Sequence, residues 1–173
     1  MDVLEFRLAA MSDKDKIFQI FKAAISYMDS QNIPQWDEVY PAVRDIESDI
    51  LKQEMYVLVK EDKIIAAIAL NEVQDDGYET GAWTFTEGKV AVIHRLCVDP
   101  AFQNQGMAKK TMSFAEDILR KKGYSIIRLD AYSLNPYALK LYEKLGFRKV
   151  SALFFRMGKF YLFEKALYDT IIL

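Results

Sequence analysis

The chain has almost none of the cysteine and histidine residues that build disulfides and zinc centres. Its 173 residues include one cysteine, Cys97, and one histidine, His94. A single cysteine cannot form an internal disulfide, and one Cys with one His is a poor ligand set for zinc, which takes several N or S ligands. The sequence therefore excludes a disulfide scaffold and predicts that the protein holds no metal.

Long apolar runs and an excess of charge of one sign are also missing. The longest apolar run, residues 64–70, is far shorter than the roughly 18 residues of a membrane span. Asp2, Glu5 and Arg7 would interrupt the apolar core of a signal peptide. The net charge is −2, so no overall positive field attracts nucleic acid or anionic lipid. We therefore expect a cytoplasmic protein with no nucleic-acid or membrane partner.

The apolar material that is present suffices for one folded domain. Hydrophobic residues make up 51% of the chain and charged residues 28%, which is the balance of a globular protein. The length also fits one domain, for which about 100–200 residues is usual. No repeat, low-complexity tract or linker rich in proline, glycine and serine divides the chain. We therefore predict a single domain over residues 1–173.

The N-terminal third is predicted to hold one strand and two helices. Residues 3–8 alternate between apolar and polar side chains, which is typical of a strand. Ser12, followed by nearby acidic residues, has the features of a helix N-cap, and apolar residues at helical spacing carry that helix to about Ser30. Pro41 is predicted to open a second, shorter helix, because proline is accepted at a first helical position.

From Met55 onward, strands and helices alternate. Residues 55–59 and 64–70 form a predicted β-hairpin that turns at Glu61 and Asp62. The remaining predicted elements are a strand at 90–98, a helix that ends at Gly123, a strand at 126–130, a helix from an Asn135 cap to Gly146, and two strands at about 150–156 and 160–165. This order predicts a mixed α/β sheet.

Residues 98–109 combine a strand end, a polar turn and a helix start. The first N–H groups of a helix have no intrahelical partner, and the helix dipole favours anions there. Gly106 and Ala108 leave room for a close approach, and Lys109 adds positive charge. An NTPase P-loop is excluded, because Asn104 and Lys109 stand where it needs glycine. On these residues alone, a phosphate site and an ordinary strand-to-helix turn both stay open.

Residues 135–147 carry a second motif, an asparagine followed by Leu-Tyr-Glu-Lys-Leu-Gly-Phe. The loop upstream reads Gln103-x-x-Gly106-x-Ala108. With these two motifs the chain resembles the GNAT superfamily of acyl-CoA-dependent N-acetyltransferases, whose pyrophosphate loop is Q/R-x-x-G-x-G/A and whose later segment is N…LYEKLGF. The resemblance is strongest over about residues 90–150.

The resemblance implies an α/β (α+β) fold in which helices flank a mixed, mostly antiparallel sheet. The sheet is expected to splay open between its fourth and fifth strands, with the pantetheine arm of acetyl-CoA against the fourth. Acetyl-CoA is thus the implied cosubstrate, and no metal is implied. The implied cofactor contacts are Leu96, Cys97, Val98, Gln103, Asn104, Gln105, Gly106, Met107, Ala108, Lys109, Asn135, Ala138, Tyr142 and Lys144.

Acetyl transfer from a thioester to an amine needs a neutral amine, a stabilised oxyanion and a proton for the departing thiolate. The resemblance implies that Tyr142 donates that proton, because a phenol with its usual pKa of about 10 is protonated at neutral pH. Simple packing of Tyr142 on its helix is the alternative. A backbone N–H near Val98 is the expected donor to the oxyanion.

Several groups are candidates for the base that takes the proton of the amine. Asp130 ends a predicted strand, where the resemblance places a catalytic carboxylate in some peptide-acetylating members. A structural hydrogen bond at the sheet margin is the alternative role for Asp130. Glu72 and a water molecule are further candidates, and His94 is a weak one.

A covalent cysteine mechanism is not favoured. His94 and Cys97 are three residues apart on a predicted strand, so their side chains are expected on opposite faces. They would then not form a nucleophile–base pair. We therefore expect direct attack of the amine in a ternary complex.

The acceptor site is expected to contain Trp36, Tyr40, Glu72 and Trp83, because aromatic faces and carboxylates suit a cationic amine. Core packing of both tryptophans is the alternative. The predicted reaction is N-acetylation of a primary amine, of a small molecule first and otherwise of a peptide N-terminus or lysine. A catalytically silent acyl-CoA-binding module and a protein that uses the fold without CoA stay open. The apolar late strands also leave a homodimer open.

Overall fold

The computed structural model describes residues 3–168. In chain order the elements are β1 (Leu4–Leu8), α1 (Lys14–Ser30), α2 (Val43–Leu51), β2 (Met55–Lys60), β3 (Lys63–Asn71), β4 (Val90–Val98), α3 (Met107–Lys121), β5 (Ile126–Tyr132), α4 (Pro136–Lys144), β6 (Arg148–Phe155) and β7 (Gly158–Ala166). Short 3-10 turns precede α1 and α3, and another lies in the long loop between β3 and β4.

The strands are hydrogen-bonded in the order β1-β2-β3-β4-β5-β7-β6. β4 and β5 run parallel, whereas the β1–β2, β2–β3, β5–β7 and β6–β7 pairs are antiparallel. The parallel ladder joins residues 90–92 to 126–128, although both strands continue beyond it. The predicted mixed, mostly antiparallel sheet is therefore confirmed, and the short ladder is what a splay between the fourth and fifth strands requires.

Contacts within the chain group it into two compact units. The first unit comprises the chain up to Leu70 together with His94–Phe114. The second comprises Asn71–Ile93 together with the chain from Ala115 onward. β4 and α3 each contribute residues to both units. The prediction of a single domain stays a prediction.

In the first unit, the β2–β3 hairpin is apolar on both faces because both faces are covered. On one face, Val57 belongs to a buried cluster with Ile20 and Phe21 of α1. On the other face, Leu58 packs in a separate cluster with Met107 at the start of α3. This double coverage explains why the hairpin has continuous apolar runs rather than alternating ones. It also fixes the start of α3 against the hairpin.

The second unit has a smaller apolar cluster. Tyr78, Val92 and Leu162 are buried at its centre, and Trp83 and Leu153 pack against them. Tyr78 is only 1% exposed although it lies in the loop between β3 and β4. Tyr78 therefore attaches this largely exposed loop to the core of its unit.

The predicted N-cap of α1 is wrong. Ser12 lies inside a 3-10 turn, and α1 begins at Lys14. The Asp13 carboxylate caps this 3-10 turn, because it accepts a hydrogen bond from the Ala10 backbone N–H at 2.8 Å, but its side chain makes no capping bond to α1. Asp13 also pairs with Arg7 of β1 at 2.8 Å, and such a tertiary contact is absent from a local sequence pattern.

The predicted start of α2 is wrong as well. Pro41 follows a cis peptide bond and lies outside the helix, which begins at Val43. The Asp45 carboxylate accepts a hydrogen bond from the Ala42 backbone N–H at 2.7 Å, and this capping interaction determines where α2 begins.

Two predicted turns are confirmed. The Asn135 side chain accepts a hydrogen bond from the Ala138 backbone N–H at 3.1 Å, and Pro136 follows as the first residue of α4. Glu61 and Asp62 have φ angles of 48° and 63°. Positive φ at both central residues is what a tight two-residue hairpin turn requires.

Candidate active site

In the first unit, the loop from β4 to α3 turns through two left-handed residues. Asn104 has a φ of 61° and Gly106 a φ of 75°, and α3 begins directly afterwards at Met107. A Cβ atom built on Gly106 would have no heavy atom within 4 Å apart from its chain neighbours. Glycine is therefore needed here for its backbone conformation, and the space beside it is open.

This loop has the donors that suit a diphosphate. The N–H groups at the start of α3 lack intrahelical partners, and the helix dipole favours an anion there. Gln105 and Lys109 are exposed next to this helix start, and Ala108 is half-buried. The side chain of Met107 is buried against the hairpin, so only its backbone is available. Gln103 Nε2 lies 3.5 Å from the Val98 carbonyl oxygen. The residues present therefore fit the diphosphate group that the family resemblance implies.

The expected pantetheine segment at the end of β4 contains a deeply buried cysteine. The Cys97 thiol lies 3.9 Å from the carbonyl oxygen of Ile20, and burial raises the pKa of this thiol well above its usual range. A buried thiol that resists ionisation is a poor nucleophile. Leu96 and Val98 are half-buried, and the backbone of all three residues is the part that the resemblance assigns to the cofactor.

The strand alternation assumed for His94 and Cys97 does not hold. Arg95, between them, has a φ of 53°, and a left-handed residue inside a strand interrupts the regular two-residue alternation. The expectation that the two side chains point to opposite faces therefore rested on a wrong premise. Burial of the thiol is the physical reason that remains against a cysteine nucleophile.

The left-handed Arg95 carries a buried ion pair in the first unit. Its guanidinium donates to both carboxylate oxygens of Asp49 at 2.7 Å and to the Tyr40 hydroxyl at 2.8 Å. The two charged side chains are 13% and 6% exposed. Burial raises the pKa of Asp49, whereas its hydrogen bond with Arg95 lowers it. This cluster connects β4, α2 and the loop that precedes α2.

The two expected acceptor residues of the first unit lie in different surroundings. Tyr40 is exposed and is hydrogen-bonded to Arg95. Trp36 packs against the first unit's core, with its ring centroid 5.3 Å from that of Phe21. Core packing, the alternative left open for the tryptophans, thus describes the position of Trp36, and its role toward an acceptor stays a prediction.

In the second unit, Asp130 and Tyr78 form a short hydrogen bond. The Tyr78 hydroxyl donates to Asp130 Oδ2 at 2.6 Å. Burial raises the pKa of Asp130 to about 6, against the lowering effect of the Tyr78 hydrogen bond, and the charge of Asp75 raises it further. A carboxylate with a pKa near neutrality is a stronger base than an ordinary aspartate and is still ionised at pH 7.

Tyr142 lies on α4 in the same unit and is 7% exposed. Its ring packs on Phe147 and Phe163, with centroids 5.7 Å and 6.0 Å away. Burial and the charge of Asp130 raise its pKa above that of an ordinary tyrosine, so the phenol is protonated at neutral pH. Among residues 3–168 its hydroxyl has no hydrogen-bond partner. A buried tyrosine hydroxyl usually finds one, which leaves this one available to a ligand.

The other predicted residues of the second unit are divided between two groups. Trp83 lies beside Tyr78, since its Nε1–H donates to the Tyr78 carbonyl oxygen at 2.7 Å. Glu72 is exposed and instead accepts a hydrogen bond from Tyr124 at 2.7 Å, with Lys89 at 3.7 Å. These contacts bring Trp83 together with the Tyr78–Asp130 pair but do not bring Glu72 there.

The remaining predicted contacts lie on α4. Asn135 and Ala138 bond to each other in the helix cap, and Lys144 is exposed in the last turn. The structure gives Asn135 a capping role whether or not it contacts a cofactor.

Sequence reasoning missed Tyr78, Arg95 and Arg128. Arg95 and Arg128 had a signal, because each is a charged residue within a largely apolar strand. Tyr78 had none, since its partner Asp130 is 52 positions away and the intervening chain gives no indication of the contact.

No group of three or more His, Cys, Asp or Glu side chains within residues 3–168 is placed to hold a metal ion. No helix in that same range has the length and apolar character needed to cross a bilayer.

Comparisons with known proteins agree with the fold and the two motifs. The model of the Acetyltransferase (GNAT) family matches residues 19–147. The [ribosomal protein bS18]-alanine N-acetyltransferase of Haemophilus ducreyi is 39% identical over 61 residues, which are 35% of this chain and 42% of that protein. The chain spans about half or less of the length of the curated relatives it matches.

Solved structures show the same architecture. A GNAT-family acetyltransferase from Streptococcus agalactiae 2603 superposes with a TM-score of 0.84 at 20% identity, over 94% of this chain and 95% of that one. The PaiA N-acetyltransferase of Thermoplasma acidophilum, solved in complex with coenzyme A, superposes with a TM-score of 0.73 at 16% identity, over 95% and 99% of the two chains. Since the family model covers most of the sequence, the chain belongs to the GNAT family of acetyltransferases.

Proposed function

We propose that the chain transfers an acetyl group from acetyl-CoA to a primary amine, by direct attack of the amine in a ternary complex. The observation that carries this proposal is the pair of proton-handling groups in the second unit. Asp130 is a carboxylate with a raised pKa of about 6, and Tyr142 is a protonated phenol whose hydroxyl has no partner among the described residues. The reaction needs one group to accept a proton and another to donate one.

Asp130 is the proposed base. An amine acceptor is mostly protonated at neutral pH and must lose a proton before it attacks the thioester. The raised pKa of Asp130 lessens the pKa difference between carboxylate and ammonium, so the proton transfer is less uphill than it would be to an ordinary aspartate. Above pH 6 the carboxylate is mostly ionised and can take this proton.

Tyr142 is the proposed acid. Its raised pKa keeps the proton on the phenol at neutral pH. The hydroxyl can then donate a hydrogen bond, and finally a proton, to the sulfur as negative charge develops there. The proposal assigns this role to Tyr142 rather than Tyr78, because the Tyr78 hydroxyl is already bonded to Asp130.

The loop of the first unit is the proposed diphosphate site of acetyl-CoA. Its support is the left-handed Gly106 with open space beside it and the exposed Lys109 at the start of α3. Backbone groups of residues 96–98, together with Asn135, Ala138 and Lys144, are proposed as further cofactor contacts on the strength of the family motifs.

The proposed acceptor is a small-molecule amine, with Trp36, Tyr40, Glu72 and Trp83 as candidate contacts. A peptide N-terminus is a second candidate, because the relative from Haemophilus ducreyi is named for the alanine of a ribosomal protein. That match covers 35% of this chain, so it favours the chemistry of the transfer more than the acceptor.

The experiment that tests the proposal measures release of CoA from acetyl-CoA with a panel of acceptors. The panel contains small mono-, di- and polyamines, short peptides that begin with alanine, and N-terminally blocked peptides with one lysine. We expect amine-dependent release with at least one small amine. Release only with alanine peptides or only with lysine peptides would move the acceptor to that class. Tight binding of acetyl-CoA without release for any acceptor would indicate a silent acyl-CoA-binding module.

A further inference from the structure

The partner of the proposed base is a tyrosine from a distant part of the chain. Asp130 lies on β5, and Tyr78 lies in the loop between β3 and β4. The O–H···O distance of 2.6 Å between the Tyr78 oxygen and Asp130 Oδ2 is in the range of strong, charge-assisted hydrogen bonds. Asp130 Oδ1 has no hydrogen-bond partner within residues 3–168. One carboxylate oxygen is therefore held, and the other is left for a further group.

Tyr78 is held in place by its own loop. Gly77 has a φ of 96°, which begins a 3-10 turn, and the Thr80 hydroxyl donates back to the Gly77 carbonyl oxygen at 2.7 Å. Trp83 Nε1–H donates to the Tyr78 carbonyl oxygen at 2.7 Å, and the two rings pack with centroids 5.7 Å apart. These contacts restrict the direction of the Tyr78 ring and therefore of its hydroxyl.

The loop itself is attached to β5 and β7 by two buried side chains. Glu164 of β7 is fully buried and accepts from the backbone N–H groups of Thr84 and Phe85 at 2.8 Å and 3.1 Å. Arg128 of β5, the cross-strand partner of Glu164, donates to the Phe85 carbonyl oxygen at 3.0 Å and to Gln74 at 2.9 Å. The chain is thus anchored on both sides of Tyr78. Buried charged groups are costly unless they are hydrogen-bonded, and here the loop backbone supplies part of that hydrogen bonding.

We propose that Tyr78 is a positioning residue for Asp130: its hydroxyl fixes Oδ2 and favours the ionised carboxylate, while Oδ1 faces the acceptor amine. This inference rests on the proposed function, in which Asp130 is the base. Tyr78 itself passes no proton to the substrate. Its effect is to keep a buried carboxylate charged at the pH at which an amine acceptor must be deprotonated.

The charged and titratable groups around Asp130 determine the sign of the expected effect. Tyr78 lowers the pKa of Asp130 by its hydrogen bond, and Asp75 in the same loop raises it. Tyr142 faces Asp130 from α4. On the strands, Arg128 lies two residues away on β5 and Glu164 lies opposite Arg128 on β7. Removal of the Tyr78 hydroxyl, with the ring and these other groups kept, leaves burial and Asp75 to raise the pKa of Asp130 further.

The test is a titration of Asp130 in the free protein, followed by carbon NMR with ¹³C-labelled aspartate. The Asp130→Asn variant identifies the resonance. We expect Tyr78→Phe to raise the titration midpoint of Asp130 by about one pH unit or more, because a hydrogen bond to a charged group is lost. Replacement of Tyr78 by 3-fluorotyrosine, which keeps the ring and makes the hydroxyl a stronger donor, is expected to lower the midpoint.

Tyr132→Phe is the matched control. The Tyr132 hydroxyl, also of a buried tyrosine in the second unit, donates to the Met157 carbonyl oxygen at 3.2 Å rather than to a carboxylate. Its removal is expected to leave the Asp130 midpoint in place. An unchanged midpoint in folded Tyr78→Phe, or an equal shift in Tyr132→Phe, would overturn the proposal. If Tyr78→Phe does not fold, the fluorotyrosine protein decides by the direction of its shift.

Activity provides a second and separate readout. In Tyr78→Phe the acidic limb of the pH profile of kcat/KM is expected to shift to higher pH by the same amount as the NMR midpoint. The affinity for acetyl-CoA is expected to stay within about twofold of the wild-type value. If the wild-type protein releases no CoA with any amine, the proposed function fails, and the NMR titration still decides whether Tyr78 controls Asp130. If the wild-type protein turns over but the acidic limb of its kcat/KM profile does not follow the Asp130 midpoint, the positioning role is wrong while the transferase function stands.

Discussion

Two buried tyrosines of the second unit differ in what their hydroxyl groups contact. Tyr78 is hydrogen-bonded to Asp130, whereas the Tyr142 hydroxyl has no hydrogen-bond partner among the described residues. Both pKa values are raised, chiefly by burial. The same environment therefore keeps both phenols protonated, but only Tyr142 has a proton donor that is free for a substrate. This difference, rather than the presence of a tyrosine in a motif, supports its assignment as the acid.

Replacement of Tyr142 by phenylalanine removes the hydroxyl and keeps the ring that packs on Phe147 and Phe163. We expect kcat to fall by about 100-fold or more, since general acid catalysis typically contributes that much. The dissociation constant for acetyl-CoA, measured by titration calorimetry, is expected to change little. Tyr132→Phe serves as the control and is expected to retain wild-type turnover. Unchanged kcat in Tyr142→Phe would remove the proposed acid.

Replacement of Asp130 by asparagine is expected to lower activity and raise stability. The pKa of Asp130 is raised from the ordinary value of 3.8 to about 6 in the folded protein, so the folded state binds the proton more tightly than the unfolded state. The bound proton therefore stabilises the folded state fully below about pH 4, and this stabilisation is lost as the pH rises through about 6. At pH 7.5 we expect Asp130→Asn to be more stable than wild type by about 2–3 kcal/mol.

Urea denaturation of both proteins at several pH values measures this effect. Other groups that titrate are common to the two proteins, so the difference in free energy of unfolding isolates Asp130. The difference is expected to grow between pH 4 and pH 6 and to be constant above. A variant less stable than wild type at pH 7.5 would show that the ionised carboxylate stabilises the fold and is not held there at the expense of stability.

At the scale of elements, the turn before α3 depends on a glycine in a left-handed conformation. Gly106 and Gly123, which ends α3, have φ angles of 75° and 84°, and a Cβ atom on either would meet no heavy atom within 4 Å. Alanine at either position is therefore expected to destabilise the fold by a similar amount, about 1–2 kcal/mol, from backbone strain alone. The two positions differ only in the proposed diphosphate contact.

Comparison of Gly106→Ala with Gly123→Ala separates an effect on cofactor binding from an effect on stability. We expect Gly106→Ala to weaken acetyl-CoA binding by about tenfold or more in titration calorimetry, because the new methyl group fills the open space and shifts the N–H donors. Gly123→Ala is expected to bind as wild type does. Equal affinities of the two variants would mean that the loop is an ordinary turn.

The ion pair between Arg95 and Asp49 fixes the left-handed residue of β4. Arg95→Ala leaves the Asp49 carboxylate buried without its partner, and we expect a loss of about 3–5 kcal/mol in stability at pH 8. The loss is expected to be smaller at pH 5, because burial already raises the pKa of Asp49 and the uncompensated carboxyl then takes up a proton.

Denaturation at the two pH values checks this expectation, and the double variant Arg95→Ala, Asp49→Ala is the control. The double variant is expected to recover part of the stability at pH 8 and to lose the pH dependence. Equal losses for Arg95→Ala at both pH values would show that the charge of Asp49 is not what destabilises the single variant.

The elements could be predicted from the sequence where their signals are local. The hairpin turn at Glu61 and Asp62 and the cap at Asn135 use residues next to one another in the chain. The predicted starts of α1 at Ser12 and of α2 at Pro41 are wrong for different reasons. Asp13, next to Ser12, pairs with Arg7 of β1, which is a tertiary contact. The bond between Asp45 and Ala42 that caps α2 is local, and the prediction overlooked it in favour of Pro41.

In the candidate site too, residues with local signals could be predicted and residues brought together by folding could not. Tyr142 and Gly106 lie in short motifs whose residues are all close together in the sequence. Tyr78 meets Asp130 only through folding, and the Arg128–Glu164 pair depends on the register of β5 with β7. Tyr78 lies in the loop between β3 and β4, and the other three residues lie on β5 and β7. The attachment of this loop to Arg128 and Glu164 joins residues far apart in the sequence, which a local pattern does not show.

At the scale of the molecule, the sheet carries the loop with Gly106 in one compact unit and the Tyr78–Asp130 pair with Tyr142 in the other. Family membership follows from the family model that matches residues 19–147. The acceptor does not, because a likeness in fold at identities such as 20% and 16% does not carry a substrate from one protein to another.

A homodimer through the late strands stays a prediction. β6 is the last strand in the hydrogen-bonding order, and its Phe154 is 79% exposed. Phe154→Lys is the variant to compare with wild type by sedimentation. A dimer through β6 is expected to dissociate on this change, whereas a mass independent of it would argue against this edge as an interface.

A single turnover with ¹³C-labelled acetyl-CoA and an accepted amine tests the proposed transfer most directly. Intact-protein and small-molecule mass spectrometry follow the label over time. We expect the label in the amine, in an amount equal to the CoA released, and at no time on the protein. Label on Cys97 or another side chain before it reaches the amine would contradict direct attack, and release of CoA without labelled amine would contradict acetyl transfer itself.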